Sequence, residues 1–546
     1  MTSLFRIHLP VYREVWRLAF PVILTNLLMT AVNVVDVFMV GRLGPVEIAA
    51  VGMSNTVRML VMVGILSVTA GAMALAAQAK GAQDPERLSF VAKQTLSLTL
   101  FLGLVLSALG YFAAEPLLMF LNSGGNPLAV TLGTPYLKLL FLGTVFLVGN
   151  FAVSSLMQGA GDTVTPLYLS GGINLLNILF NYLFIFGPGP LPELGVTGAA
   201  LGTVSARMLG VVAGLAVLYS GKNVIRFFPG GYRPNPAMFW DILKIGIPSG
   251  LQGVVRNSAQ LLVIRIVTST AAGTFGAAAL AIGLQIESLA FMPGLAINVA
   301  ATSLVGQSLG AWQVDQAKAS GNAAIVLGVV VMTAIGIPLL LFAPTLVKLF
   351  DPSAHPTVVA AGSSYLRING LALPILAVAM VVNGALRGAG DTRPGLFGNI
   401  LGRWLTVVPL AYALALTFDL GVMGVWWSLA AGTTVSALYV LRRWRSGEWV
   451  EVALKQTPLY RRHLRPQTPA VREAFLREVR APQLAQGATE HVEAAGVSYW
   501  LDGERTDVHF GETSYEVERR SDPPATRPFQ PGSVQPGLAQ PGLAHD

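Results

Sequence analysis

Two carboxylates of this 546-residue sequence, Asp36 and Glu287, stand inside long apolar runs. A carboxylate in such a setting must hold a proton, hold a cation or be hydrogen-bonded within a polar cavity, because ionisation away from water is expensive. Each is therefore a candidate to take up and release a small cation as its surroundings change. Asp36 has suitable company. Asn26, Thr30 and Asn33 precede it at helical spacing, and Asn174, Asn177 and Asn181 fall at i, i+3 and i+7, on one face of a later helix. Thr203 adds a hydroxyl on the following apolar run. Amides and hydroxyls also join helices by simple hydrogen bonding, so each asparagine taken alone is as well explained by packing.

Glu287 follows Gln285, and Gln252, Arg256 and Gln260 recur every fourth residue on the preceding run. A buried Arg256–Glu287 pair would neutralise both charges. Arg58, Arg207, Arg265 and Arg403 also lie within apolar runs. Guanidiniums therefore outnumber carboxylates, which fits an anionic or amphiphilic ligand as well as a cationic one. Pro21 is placed to kink the first helix, either as a hinge or as a static bend.

The elements that carry these residues are membrane spans. Hydrophobic residues make up 53% and charged residues 12% of the chain, against about 25% charged in an average soluble protein; the mean hydropathy is +0.60. Such a chain lacks the polar surface to cover itself in water. Half of the 28 acidic residues lie in 444–546, leaving 24 basic and 14 acidic groups before them. At about 20 residues per crossing, the apolar runs predict twelve spans, the second (49–79) and eighth (275–309) longer than one bilayer. Fifteen Lys and Arg fall on loops sharing a side with the N-terminus, against about four opposite, which predicts two cytoplasmic termini in the cell membrane. The first run reads as a retained helix, with no small-residue cleavage site after it.

Several chemistries are excluded. There is no cysteine, and only His8 and His355 lie outside the tail, so no thiolate, disulfide or imidazole relay operates within the spans. No phosphate-binding Gly-x-x-x-x-Gly-Lys-Ser/Thr loop, His-Glu-x-x-His or nucleophile elbow occurs. Neither ATP-driven transport of that kind nor an intramembrane hydrolase is expected, and no cofactor is. The basic residues sit between spans rather than on one face, so no nucleic-acid partner is expected despite the basic pI.

An internal repeat organises the chain. Gln158-Gly-Ala-Gly-Asp162-Thr163 recurs as Arg387-Gly-Ala-Gly-Asp391-Thr392, 229 residues on. Near the same offset Pro21 pairs with Pro248, Gly52 with Gly283, Gln78 with Gln307, Gly81 with Gly310, Pro116 with Pro344, and Tyr136 with Tyr365. The expected fold is all-α: two parallel six-helix lobes related by a pseudo-twofold axis along the membrane normal, with a substrate path between them. The predicted units are an N-terminal lobe at 1–219, a cytoplasmic linker at 220–239, a C-terminal lobe at 240–443 and a polar tail at 444–546. In the tail a short amphipathic helix, Val471 to Val479, precedes Pro-rich sequence expected to be disordered over 520–546, with room for a small module in 470–520.

The paired Gly-Ala-Gly-Asp-Thr motif, Asp36 in the first span, and the segments Ile286-Glu-Ser-Leu-Ala-Phe-Met-Pro-Gly294 and Leu304-Val-Gly-Gln-Ser-Leu-Gly310 resemble the multidrug and toxic compound extrusion (MATE) family of secondary transporters, over roughly residues 10–445. The resemblance implies export of organic cations and other amphiphiles in exchange for H⁺ or Na⁺ by alternating access. It casts Asp36 as the coupling carboxylate, Asn177, Asn181 and Thr203 as its polar neighbours, and Asp391 as the acid of a second-lobe motif that some members use for cations. Asn33, Asn174, Arg256 and Glu287 stand beside these as cavity candidates. Two departures from the family pattern stand out. Asn181 takes the place of an aspartate common in the family, and Arg256 lies near a position where some Na⁺-coupled members carry a glutamate. Na⁺ prefers anionic oxygen ligands, so Asp36 is expected to couple to H⁺ rather than Na⁺. The expected partners are small organic cations or amphiphiles and membrane lipid, with the protein working as a monomer. The embedded arginines keep a lipid or lipid-linked saccharide flippase as an alternative, although such flippases lack the paired motif. A passive channel or membrane scaffold is the alternative of another class.

Overall fold

Proline marks where the helices begin. Its missing N–H costs nothing in a first turn, and its fixed φ suits one. The computed structural model describes residues 9–122, 126–188, 192–221, 223–228 and 230–454, with strands within 490–518. The first half holds α1 (Leu9–Gly41), α2 (Pro45–Gly81), α3 (Pro85–Leu121), α4 (Pro127–Leu142), α5 (Thr144–Gly159), α6 (Val164–Phe186) and α7 (Gly195–Tyr219). The second holds α8 (Pro236–Thr268), α9 (Gly273–Gly310), α10 (Val314–Leu341), α11 (Ala343–Phe350), α12 (Pro356–Gly388), α13 (Arg393–Thr417) and a final span, Gly421–Ser446. Side chains of Asp84, Asn126 and Asn235 accept from the first-turn amides of α3, α4 and α8, which would otherwise be unpaired.

Among the described residues, ten helices are long and apolar enough to cross a membrane, or eleven with α4 and α5 joined as one span bent by 44°. The remaining expected span is α8. At 33 residues it is about 50 Å long, but Lys244, Gln252, Arg256, Asn257, Gln260 and Arg265 keep it from being apolar throughout. Expected and observed spans otherwise correspond one for one. The two halves are not perfect copies. α6 is a regular α-helix, whereas its counterpart α13 winds as a π-helix over Ile400–Val407 and again over Ala413–Thr417, either side of Pro409. Proline removes an amide and pushes on the preceding turn, which such wider winding accommodates.

The linker between the halves is clamped onto the first. Lys93, buried on α3, donates its ammonium to the carbonyls of Phe228 and Gly230, the latter at 2.7 Å, and lies 4.5 Å over the Tyr232 ring. Gln94 beside it donates to Gly231 and Arg233 and accepts from the Asn235 amide, at 2.8–2.9 Å. A buried ammonium survives here because carbonyl dipoles and an aromatic face replace its water. Lys93→Met is expected to cost about 1–3 kcal/mol by leaving those carbonyls unpaired. Thermal unfolding of the detergent-solubilised protein tests this, and an unchanged midpoint would show that the clamp bears no strain-free load on stability.

The lobes meet in a reciprocal latch at the end of the bundle that carries the repeated motif. Gln78 of α2 donates to the Gly388 carbonyl at 3.1 Å, and Gln307 of α9 donates to the Gly159 carbonyl at 3.0 Å. Gly159 and Gly388 belong to the two copies of the motif, as Gln78 and Gln307 are partners in the repeat. Ser303 also donates to Gly159, at 3.1 Å. The helices approach so closely that a Cβ on Gly81 would overlap the Gln307 carbonyl, and one on Gly310 the Gln78 carbonyl. The second glycines of the motif, Gly161 and Gly390, turn the chain with φ of 89° and 78°, conformations that side chains resist. The repeated motif is thus a turn and an acceptor for the opposite lobe.

Residues Met1–Tyr460 and Arg461–Asp546 form separate units. In the second, β1 (Glu490–Ala494), β2 (Val497–Asp502), β3 (Arg505–Phe510) and β4 (Thr513–Glu518) make an antiparallel meander in the order β1-β2-β3-β4. Neighbouring strands are separated by two residues with one glycine each, Gly496, Gly503 and Gly511, the spacing of tight hairpins. This sheet falls within the stretch where the sequence left room for a module. The expected helix from Val471 to Val479 and the expected disorder of 520–546 lie outside the described residues.

Candidate ion-coupling site

Packing of α1 against α6, and of α6 against α7, turns three separate polar stripes into one chain of side chains. Asn181 donates its amide nitrogen to the Asp36 carboxylate at 2.8 Å and also lies 3.5 Å from the Asn177 amide oxygen. Asn177 in turn donates to the Thr203 hydroxyl at 3.2 Å. Asn181 and Asn177 are 1% and 6% exposed, so these groups have exchanged water for one another. One atom of the chain is left over: the buried amide oxygen of Asn181 has no hydrogen-bond partner among the described residues. Arg58, Arg207 and the buried Tyr136 are within electrostatic reach of Asp36. Neither arginine makes a salt bridge at contact distance among the described residues.

The four residues expected at the coupling site are thus brought together, and the other candidates fall elsewhere. Asn33 is exposed on α1, and the buried Asn174 amide nitrogen has no partner within the chain of bonds. α1 runs unbroken through Pro21, and the Thr25 hydroxyl donates back to the Pro21 carbonyl at 2.9 Å. Glu287 accepts from the Tyr365 hydroxyl of α12 rather than from Arg256, whose guanidinium lies 5.7 Å over the Phe291 ring. Asp391, 5% exposed, follows the latch and is paired with Arg443 at 3.1 Å. Burial pushes its carboxyl above the ordinary carboxylate range, against the lowering effect of the Arg443 guanidinium. Arg443 also pairs with Glu448 of the short helix Glu448–Leu454. Sequence reasoning did not assign Tyr136 and Tyr365 a role; their signal was their place as partners in the repeat.

Two six-helix halves closed on each other at one end, with an embedded carboxylate in a polar chain, define a multi-pass membrane transporter rather than an enzyme. The MatE family profile matches residues 21–183 and 248–413, one copy on each half and each beginning at a repeated proline. The chain belongs to the MatE family. It is 29% identical to the probable multidrug resistance protein NorM of Thermotoga maritima over 83% of this chain and 97% of that one. It is 32% identical to the multidrug resistance protein NorM of Burkholderia vietnamiensis, over 79% of this chain and 92% of that one. Its fold is similar to the outward-facing structure of a multidrug resistance MATE family transporter of the MOP superfamily, with a TM-score of 0.75, 25% identity, and coverage of 81% of this chain and 96% of that one.

Proposed function

We propose that this chain exports amphiphilic compounds, organic cations among them, across the cell membrane in exchange for protons, with Asp36 as the proton carrier. The observation that carries the reading is the bond from Asn181 to Asp36 beside the unpartnered Asn181 oxygen. An ionised Asp36 accepts from the amide nitrogen. A protonated Asp36 must donate, and half a turn of the same amide offers it the oxygen. One side chain thereby serves both protonation states, and the helix that carries it, α6, feels the difference. Na⁺ finds poorer terms, since Asp36 is the single carboxylate of the chain of bonds and Arg58 and Arg207 repel a second cation.

The Lys and Arg bias supports cytoplasmic termini, and on that reading the latched end is the cytoplasmic end. The lobes therefore stand closed toward the cell interior and ready to receive a proton from outside. Protonation alters the α1–α6 contact, substrate leaves, the latch opens, and the empty or loaded lobes rock to the other side. Names of relatives that include multidrug resistance support a broad substrate range.

The test is efflux of a fluorescent amphiphilic cation from proteoliposomes under an imposed proton or sodium gradient. Proton-driven efflux with no sodium response is expected, and the reverse pattern would overturn the assignment of the ion. Asn181→Asp supplies a second anionic oxygen donor and is expected to bring in a sodium response, read as sodium-stimulated efflux at constant pH. If that variant gains none, the identity of residue 181 does not decide the ion.

A further inference from the structure

We propose that Arg256 and Arg403 form an anion subsite in the C-terminal lobe, which takes the carboxylate of a zwitterionic or anionic aromatic amphiphile with Phe291 as its ring platform. The proposal rests on the reading of the chain as an exporter and adds the chemical class that its second lobe selects.

Arg256 of α8 is exposed and stacks 5.7 Å over the Phe291 ring of α9. Arg403 is carried by the π-helical stretch of α13, and α13 is pinned to α8 where Trp404 donates to the Val255 carbonyl at 3.2 Å. Each arginine is thus a direct sequence neighbour of one end of that bond, and the two lie within electrostatic range of each other. Like charges within range of each other repel unless an anion lies near both. The one carboxylate within range is Glu287, and it is bonded to the Tyr365 hydroxyl. Among the described residues neither arginine makes a salt bridge. The pair is one negative charge short.

Two further observations point to a ligand. Gln252 and Gln260 stand one turn either side of Arg256 on α8, and the buried amide nitrogen of Gln260 has no partner among the described residues. A donor without an acceptor, one turn along the helix from a guanidinium, suits an oxyanion. The repeat supplies the second. At the offset of the paired motif, Arg403 corresponds to Asn174 of α6, so the second lobe carries a guanidinium on a π-wound turn where the first carries a neutral amide on a regular helix. At this turn the second lobe carries a positive charge that the first lacks.

Equilibrium binding to the detergent-solubilised full chain tests this with a rhodamine bearing a free carboxylate and its methyl ester, which share shape and differ in one charge. The free acid is expected to bind about tenfold or more tightly than the ester. Arg256→Gln and Arg403→Gln should each remove that preference while ester binding persists, which also shows that the variants are folded. Glu287→Gln, which removes the competing anion, should increase the preference. Equal affinity for acid and ester in the wild type overturns the proposal, as does an equal loss of both in the two arginine variants. No gradient is involved, so intact acid preference alongside absent efflux would count against the exporter reading and leave the subsite standing.

Discussion

Asp36→Asn is expected to reduce proton-driven efflux to the level of protein-free vesicles while leaving substrate binding measurable. The substitution keeps the size of the side chain and a hydrogen bond to Asn181, but no proton can be taken up or released. The comparison that isolates coupling is efflux under a proton gradient against exchange of labelled for unlabelled substrate without one. Loss of the first with retention of the second places Asp36 in coupling. Full gradient-driven efflux in Asp36→Asn would falsify the mechanism outright. Asn177→Ala should weaken transport less severely, because it removes a neighbour that holds Asn181 in place and leaves the carboxylate.

Gly81→Val should have an effect of similar size for a different reason. The added side chain meets the main-chain carbonyl of Gln307, which has no flexible end to swing aside. The two helices must separate, and the latch bonds of Gln78 and Gln307 are lost with the contact. The reference variant is Gln78→Ala with Gln307→Ala, which removes two hydrogen bonds of about 1 kcal/mol each and shifts the balance of states by roughly thirtyfold. Because the chain has no cysteine, Ser303→Cys offers a single reporter thiol at a position only 1% exposed in the latched state, its weakened bond to Gly159 being common to both backgrounds compared. Its modification by an aqueous maleimide should be slow in the otherwise unaltered chain and fast with Gly81→Val. Slow modification in both would show that the latch tolerates the side chain.

Much of the architecture was legible because apolar length and proline position are local properties. Span ends at Pro45, Pro85, Pro127, Pro236 and Pro356 follow from what proline does in a first turn. The polar cluster around Asp36 was legible because acids are scarce and because Asn177 and Asn181 share a face with each other whatever packs against it. Facing between helices is another matter. Asn33 and Asn174 lie on the correct helices, but which faces of α1 and α6 meet, and at what depth, is decided by lobe packing. The Arg256–Glu287 pairing failed for the same reason: Tyr365 arrives from α12, nearly eighty residues away in sequence, and no local pattern announces it. Asp391 shared its motif with Asp162, yet its partner Arg443 comes from the final span. In the tail, alternating polar strands of five or six residues carried too little apolar signal to be read as a sheet.

The latch carries an implication about origins as well as motion. In a symmetric dimer, residue i of one copy touches residue j of the other, and j of the first touches i of the second. Gln78 with Gly388 and Gln307 with Gly159 satisfy that rule across the repeat. The join between the lobes is therefore isologous in character, although it lies within one chain. It is the interface that two copies of a single six-helix protein inserted in the same direction would make. Fusion would then have freed each copy to diverge, one keeping Asp36 and its amides while the other gathered Arg256 and Arg403, with the seam between them left as it was.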